Sequence, residues 1–172
     1  MNVLVAIVQL LVACAFLSIP LVRHRFGPGA QVAAEAELAR QGVPGTVLAE
    51  NKMRFDAGGH ETAAPVTVAA VMVALAGLNL AASAWASPLT WVFQSLVLAM
   101  NFLILQSNLT AAKSVQAAFA RKGDPLLQRI NVPALLKAAE NAFPSWVWVL
   151  QNVRHVVVFG GSAVALAALA LA

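Results

Sequence analysis

The chain has 172 residues, of which 60% are hydrophobic and only 10% charged. Soluble domains are about a quarter charged, so this composition excludes an ordinary soluble globule and points to an integral membrane protein. The net charge of +4 would suggest a nucleic-acid partner in a soluble protein. In a membrane chain the positions of Lys and Arg report orientation instead, and no nucleic-acid partner is expected.

A bilayer core requires about 20 apolar residues in a helix, with a lower limit near 17. The first stretch that qualifies covers residues 3–22. It contains the chain's one cysteine, Cys14, in "LVAC", which has the form of a lipoprotein cleavage box. No Lys or Arg precedes it and the apolar run continues through "AFLSIPLV", so a retained transmembrane helix is expected. The segment from 23 to 65 carries five basic and five acidic residues. There "AQVAAEAELARQG" reads as a short helix closed by Gly42, and "VLAENKMRF" as a second, within a solvated connector.

The second and third spans are expected at 66–85 and 89–109, joined by a tight uncharged turn around Ser87 and Pro88 in "ASPLTW". The helix of the third span should continue to about Lys122 and stop at Gly123. Asp124 then offers an N-cap with Pro125 behind it. Leu126, Leu127, Ile130, Leu135, Leu136 and Phe143 alternate with polar residues, as in short helices on a membrane surface or against a partner subunit. The fourth span is expected at about 150–172. The fold class is therefore all-α: one membrane domain, an integral four-helix bundle of four transmembrane helices with short cytoplasmic or interfacial helices.

Four spans place segments 23–65 and 110–149 on one side and both termini with the hairpin turn on the other. Ten of the eleven Lys and Arg residues fall in those two segments. The positive-inside rule then makes the charged segments cytoplasmic and the termini external, in an inner membrane. The eleventh, Arg154, with His155, interrupts the last apolar stretch in "QNVRHVVVF". Counting 17 residues from Val156 to Ala172 gives about 25 Å of helix, which places Arg154 and His155 at the cytoplasmic interface. A helix spanning from Trp146 would put Arg154 within the core, where it needs a buried partner.

Polar residues inside the spans are the first candidate site. Gln94, Asn101 and Asn108 lie within about 40° of one another on the third span, with Thr90 a further 40° away. Asn79 on the second span is expected to approach Gln94 across the hairpin, as interhelical glue or as one wall of a substrate or ion path. Small residues form two further faces, Ala70, Ala74, Gly77 and Ala81 on the second span and Gly161, Ala165, Ala168 and Ala172 on the fourth. Such faces allow close helix approach; one can close the bundle, and two favour association with another chain.

His24, His60 and His155, with Glu61, should lie near the charged ends of their spans and are the candidate ligands for a metal or haem. Their spacing forms no local metal motif, so a cofactor is not the leading expectation. No catalytic residues are assigned, because no nucleophile elbow, phosphate loop or dinucleotide turn occurs. "RFDAGGHETAAP" partly resembles, through Arg54, Glu61 and Pro65, the start of the second span in the membrane-associated eicosanoid and glutathione metabolism family. Asp56 and Gly58 stand where that family has His and Asn, tyrosine is absent and the loop before the fourth span is longer. Membership does not follow.

The leading functional expectation is a non-catalytic accessory, assembly or stabilising subunit of a larger bacterial inner-membrane complex, with lipids and other integral subunits as partners. The alternatives are a small transporter or channel component using the polar face, and a membrane enzyme acting on thiol or lipid substrates through Arg54, Glu61 and Arg154.

Overall fold

The computed structural model describes residues 2–56 and 62–171. It is 84% helical, without strands among the described residues, and four of its helices are long and apolar enough to span a membrane. In chain order these elements are α1 (Asn2–Arg40), α2 (Thr46–Glu50), α3 (Ala63–Leu80), α4 (Ala86–Lys122), α5 (Pro125–Gln128), α6 (Val132–Asn141) and α7 (Trp146–Ala170). The four-helix, all-α membrane architecture is thus the one that hydropathy and charge dictate.

The chain divides into two compact units. The first comprises Met1–Leu21, Gly59–Ile104 and Trp146–Ala172, and the second Val22–Gly58 and Leu105–Ser145. The first unit is a bundle of the early part of α1 with α3, the early part of α4 and α7. Its core consists of Val5, Val8, Val12 and Phe16 from α1, Met72 and Leu75 from α3, Val97 from α4, and Val158 and Ala165 from α7. Large apolar side chains such as Leu21, Val73, Leu103 and Val156 point outward, as lipid-facing positions do.

The second unit has its own apolar core. Ala30, Ala34 and Leu38 of α1, Val47 and Leu48 of α2, Phe119 of α4, Leu127 of α5, and Val132 and Leu135 of α6 pack together, with Leu126, Leu136 and Phe143 against them. The apolar positions expected on a membrane surface or a partner are therefore largely consumed within the chain. Amphipathic periodicity specifies that a face must be covered but not by what.

α2 stops at Glu50, short of the helix expected over "VLAENKMRF", and three further boundaries differ from expectation. No break separates the first span from the helix that follows it, since α1 runs for 39 residues through Pro20 and Pro28. Each proline removes one backbone bond, and packing on both sides outweighs that loss. Gly27 lies beside the chain at Phe55 and Asp56, where an added Cβ would come within 2.7 Å of backbone atoms.

α3 ends at Leu80, five residues before the expected boundary, and the hairpin turn occupies the residues up to α4 at Ala86. Pro88 belongs to the first turn of α4, a position where its missing N–H has no helical partner to lose. The reversal is made by Ala82 in the left-handed region, φ 49°, a conformation that its residue type does not advertise. The third difference is α7, which begins at Trp146 rather than near 150.

Other signals are realised as expected. α4 reaches Lys122, Asp124 caps α5 by accepting a hydrogen bond from the Leu126 amide at 2.8 Å, and α1 stops just before Gly42 at φ 71°. Asn131 similarly caps α6 through the Ala134 amide at 3.1 Å.

Candidate functional site

The inner face of α4 in the first unit carries Thr90, Gln94, Val97 and Asn101, all 5% exposed or less. Their spacing of four, three and four residues is that of a helix seam facing its neighbours. Two hydrogen-bonded layers form along it. In the first, Gln9 of α1 donates from Nε2 to Thr90 Oγ1 at 3.1 Å, and Asn79 of α3 donates from Nδ2 to Gln9 Oε1 at 3.1 Å and to Thr90 Oγ1 at 3.0 Å. Asn79 Nδ2 also lies 2.9 Å from Leu75 O, so its two hydrogens are shared among three acceptors. In the second layer Gln94 Nε2 donates to Ser162 Oγ of α7 at 2.8 Å.

The partner of Asn79 across the hairpin is consequently Thr90, one turn nearer the reversal than the expected Gln94. The earlier end of α3 accounts for the shift. Asn108 does not continue the face: it is exposed and belongs to the second unit. Two members were not anticipated. Gln9 is the only strongly polar side chain between residues 3 and 17, and an amide there needs a partner. Ser162 is hidden among glycine and alanine, where a hydroxyl reads as one more small residue.

One heptad from Gln94 and Ser162, on the same faces of α4 and α7, lie Asn101 and His155. The Asn101 side chain is 1% exposed and its Nδ2 has no partner; Arg154 Nε and His155 Nδ1 are likewise buried and unpartnered, as is Gln94 Oε1. Arg154 Nη2 is 3.5 Å from His155 Nε2, and the His155 ring stacks on Phe159 with centroids 6.3 Å apart. Since α7 runs unbroken from Trp146, Arg154 sits about 12 Å along it from the first residue.

The two small-residue faces have different fates. On α7, Ala165 is buried and Gly161 and Ala168 are half-buried. A Cβ at Gly161 would lie 3.0 Å from Val8 Cγ1, so this face receives α1 and closes the bundle. On α3, Ala70, Ala74, Gly77 and Ala81 are all exposed, and nothing lies within 4 Å of a Cβ built at Gly77. Ala172 falls outside the described residues.

The candidate metal or haem ligands fall in different units or outside the described residues. His24 is exposed in the second unit and His155 belongs to the first; His60 and Glu61 lie outside the described residues. No group of three His, Cys, Asp or Glu side chains suited to a metal occurs among the described residues. Arg54 forms a two-pronged ion pair with Asp56, Nε to Oδ1 at 3.0 Å and Nη2 to Oδ2 at 2.9 Å, in the second unit. Those hydrogen bonds hold the Asp56 carboxyl below the ordinary carboxylate range. Arg23 donates to the carbonyls of Arg54 and Asp56 at 3.2 and 3.1 Å, fastening this stretch to α1.

Fold and site together define a four-span, all-helical membrane protein with internal amide layers and one outward seam of small residues. No known protein family, curated protein or solved structure matches the chain.

Proposed function

We propose that the chain is a non-catalytic accessory, assembly or stabilising subunit of a larger complex in a bacterial inner membrane. The observation that carries this reading is the outward face of α3, where Ala70, Ala74, Gly77 and Ala81 are all exposed. Lipid tails are as apolar as side chains, so burial in itself does not drive helices together in a bilayer. Close packing does, and a stripe of small residues permits it. The equivalent face on α7 is already occupied by α1. The α3 face is left open to receive a helix of another chain.

In this reading the charged segments face the cytoplasm and both termini face outward. The bacterial assignment rests on the alanine-rich spans alone. The amide layers serve as glue within the bundle: Gln9, Asn79 and Thr90 bond to one another, and Gln94 donates from Nε2 to Ser162 while its Oε1 stays unpartnered. That use weighs against a transport path.

The test is copurification from membranes in a mild detergent, read by mass spectrometry with an absorption spectrum of the same sample. Larger subunits in stoichiometric amount are expected, and Gly77→Leu should lose them while the chain itself stays folded. A wild-type chain that purifies as a monomer or a pure homo-oligomer would overturn the proposal, and a haem spectrum would return the histidines to consideration.

A further inference from the structure

The second unit contains a pocket of about 280 Å³ on one face of α4. Val115, Ala118 and Phe119 of that helix, with Met53 from the stretch after α2, form its apolar walls, and Phe119 is the most buried of the four. Lys122 and Asn51 stand together at one end. Ser114, which is exposed, lies about 12 Å back along α4 from Lys122.

The charged end is built by local chemistry. Just past α2, Lys52 takes a left-handed backbone at φ 55°, its amide donating to Ala49 O at 3.0 Å and the Met53 amide to Leu48 O at 2.8 Å. This reversal brings Asn51 and Met53 to the same pocket. The Asn51 side chain is oriented by its own helix, since Nδ2 donates to Val47 O at 2.8 Å and Oδ1 is the atom left to accept. It accepts from Lys122 Nζ at 2.6 Å. An ammonium has three hydrogens and this bond takes one, so Lys122 keeps a positive charge and spare donors beside apolar walls.

No Asp or Glu lines the pocket. The unit holds ten Lys and Arg against six Asp and Glu, and two of those acids, Glu37 and Asp56, are paired with Arg40 and Arg54. Its field therefore favours an anion. The volume equals that of about nine waters, room for one apolar body the size of a large side chain. A singly charged head fits this end better than a phosphate. Lys122 offers a point charge without a guanidinium fork, and it is the last residue of α4, where the free carbonyls of the helix repel a second negative charge.

We propose that this pocket binds a small, free apolar carboxylate of the arylalkanoate or short alkanoate class. The carboxylate accepts hydrogen bonds from Lys122 Nζ, which Asn51 holds in place, and the apolar body lies along Val115 and Ala118 against Phe119 and Met53. Every residue invoked belongs to the second unit, whereas the α3 face belongs to the first. Failure of this site would leave the subunit reading untouched, and the reverse.

The test is calorimetric titration of the full chain in mild detergent with hydrocinnamate and with hexanoate, each beside its neutral amide. At least one carboxylate should bind at one molecule per chain and about tenfold more tightly than its amide, the ratio expected for a hydrogen bond to a charged group. Lys122 is exposed, so Lys122→Gln should fold normally and bring acid and amide to the same affinity. Ala118→Trp fills the pocket and should abolish binding of both. No binding of either carboxylate, equal affinity for acid and amide in the wild type, a Lys122→Gln that still prefers the acid, or a folded Ala118→Trp that binds as before would overturn the proposal. So would acetate or inorganic phosphate matching the bound carboxylate, which would reveal an anion site that ignores the apolar body. An acetylated pentapeptide ending in phenylalanine that binds more tightly would also overturn it, by making the occupant the end of a partner chain.

Discussion

Asn79 shows how much a single amide can settle within a bilayer. Its Nδ2 reaches Gln9 on α1 and Thr90 on α4, so one side chain ties three helices at one level. Interhelical hydrogen bonds of this kind contribute about 0.6 to 2 kcal/mol. Asn79→Leu should lower unfolding free energy in detergent by about that amount, and a double-mutant cycle with Gln9→Leu should show coupling; additive effects would mean that the pair does not interact. Asp56 supplies a pH dependence. Its carboxyl is held below the ordinary range by Arg54, so the ion pair stabilises the folded state fully above the ordinary value and is lost as pH falls through the lowered one. Amide exchange at Phe55 should stay slow down to about pH 4 and accelerate below it, and Asp56→Asn should remove that dependence. Faster exchange on raising the pH from 4 to 6, beyond the intrinsic base-catalysed increase, would contradict the sign.

At the scale of the helices, steric detail separates elements that hydropathy treats alike. α3 and α7 both carry a stripe of small residues, but of the two glycines in them only Gly161 has a neighbour close enough to feel a larger side chain. Gly161→Leu should push α1 from α7 and cost about 1 to 3 kcal/mol, whereas Gly77→Leu should leave the isolated chain's stability nearly unchanged. Equal losses would mean that the α3 face is also packed within the chain. The hairpin offers the opposite sign. Ala82 holds a left-handed backbone at φ 49°, which glycine adopts without the Cβ penalty. Ala82→Gly should therefore raise stability by about 0.5 kcal/mol after its larger unfolded-state entropy is subtracted, as thermal melting would register.

For the whole molecule, two apolar cores imply two responses to damage. Leu135 is fully buried in the second unit and shares no core residue with the first. Leu135→Ala should cost about 2 to 5 kcal/mol in that unit. Hydrogen exchange should then quicken in α2, α5 and α6 much more than in α7; uniform acceleration would show that the two units unfold as one.

Much of this architecture follows from composition and periodicity without any tertiary information. Four apolar stretches, ten of eleven cations in two segments, and the Asp124–Pro125 start signal depend on local chemistry and bilayer thickness, which act on each segment separately. The partners of Asn79, the burial of Gln9, the unequal fates of Gly161 and Gly77 and the unanswered donors around Arg154 depend on which helix faces which, and at what register. A helical sequence displays its polar and small faces but not the neighbour each one meets. That choice is made by the packing of several helices at once, where a turn such as the one at Ala82 moves every contact on the elements it joins.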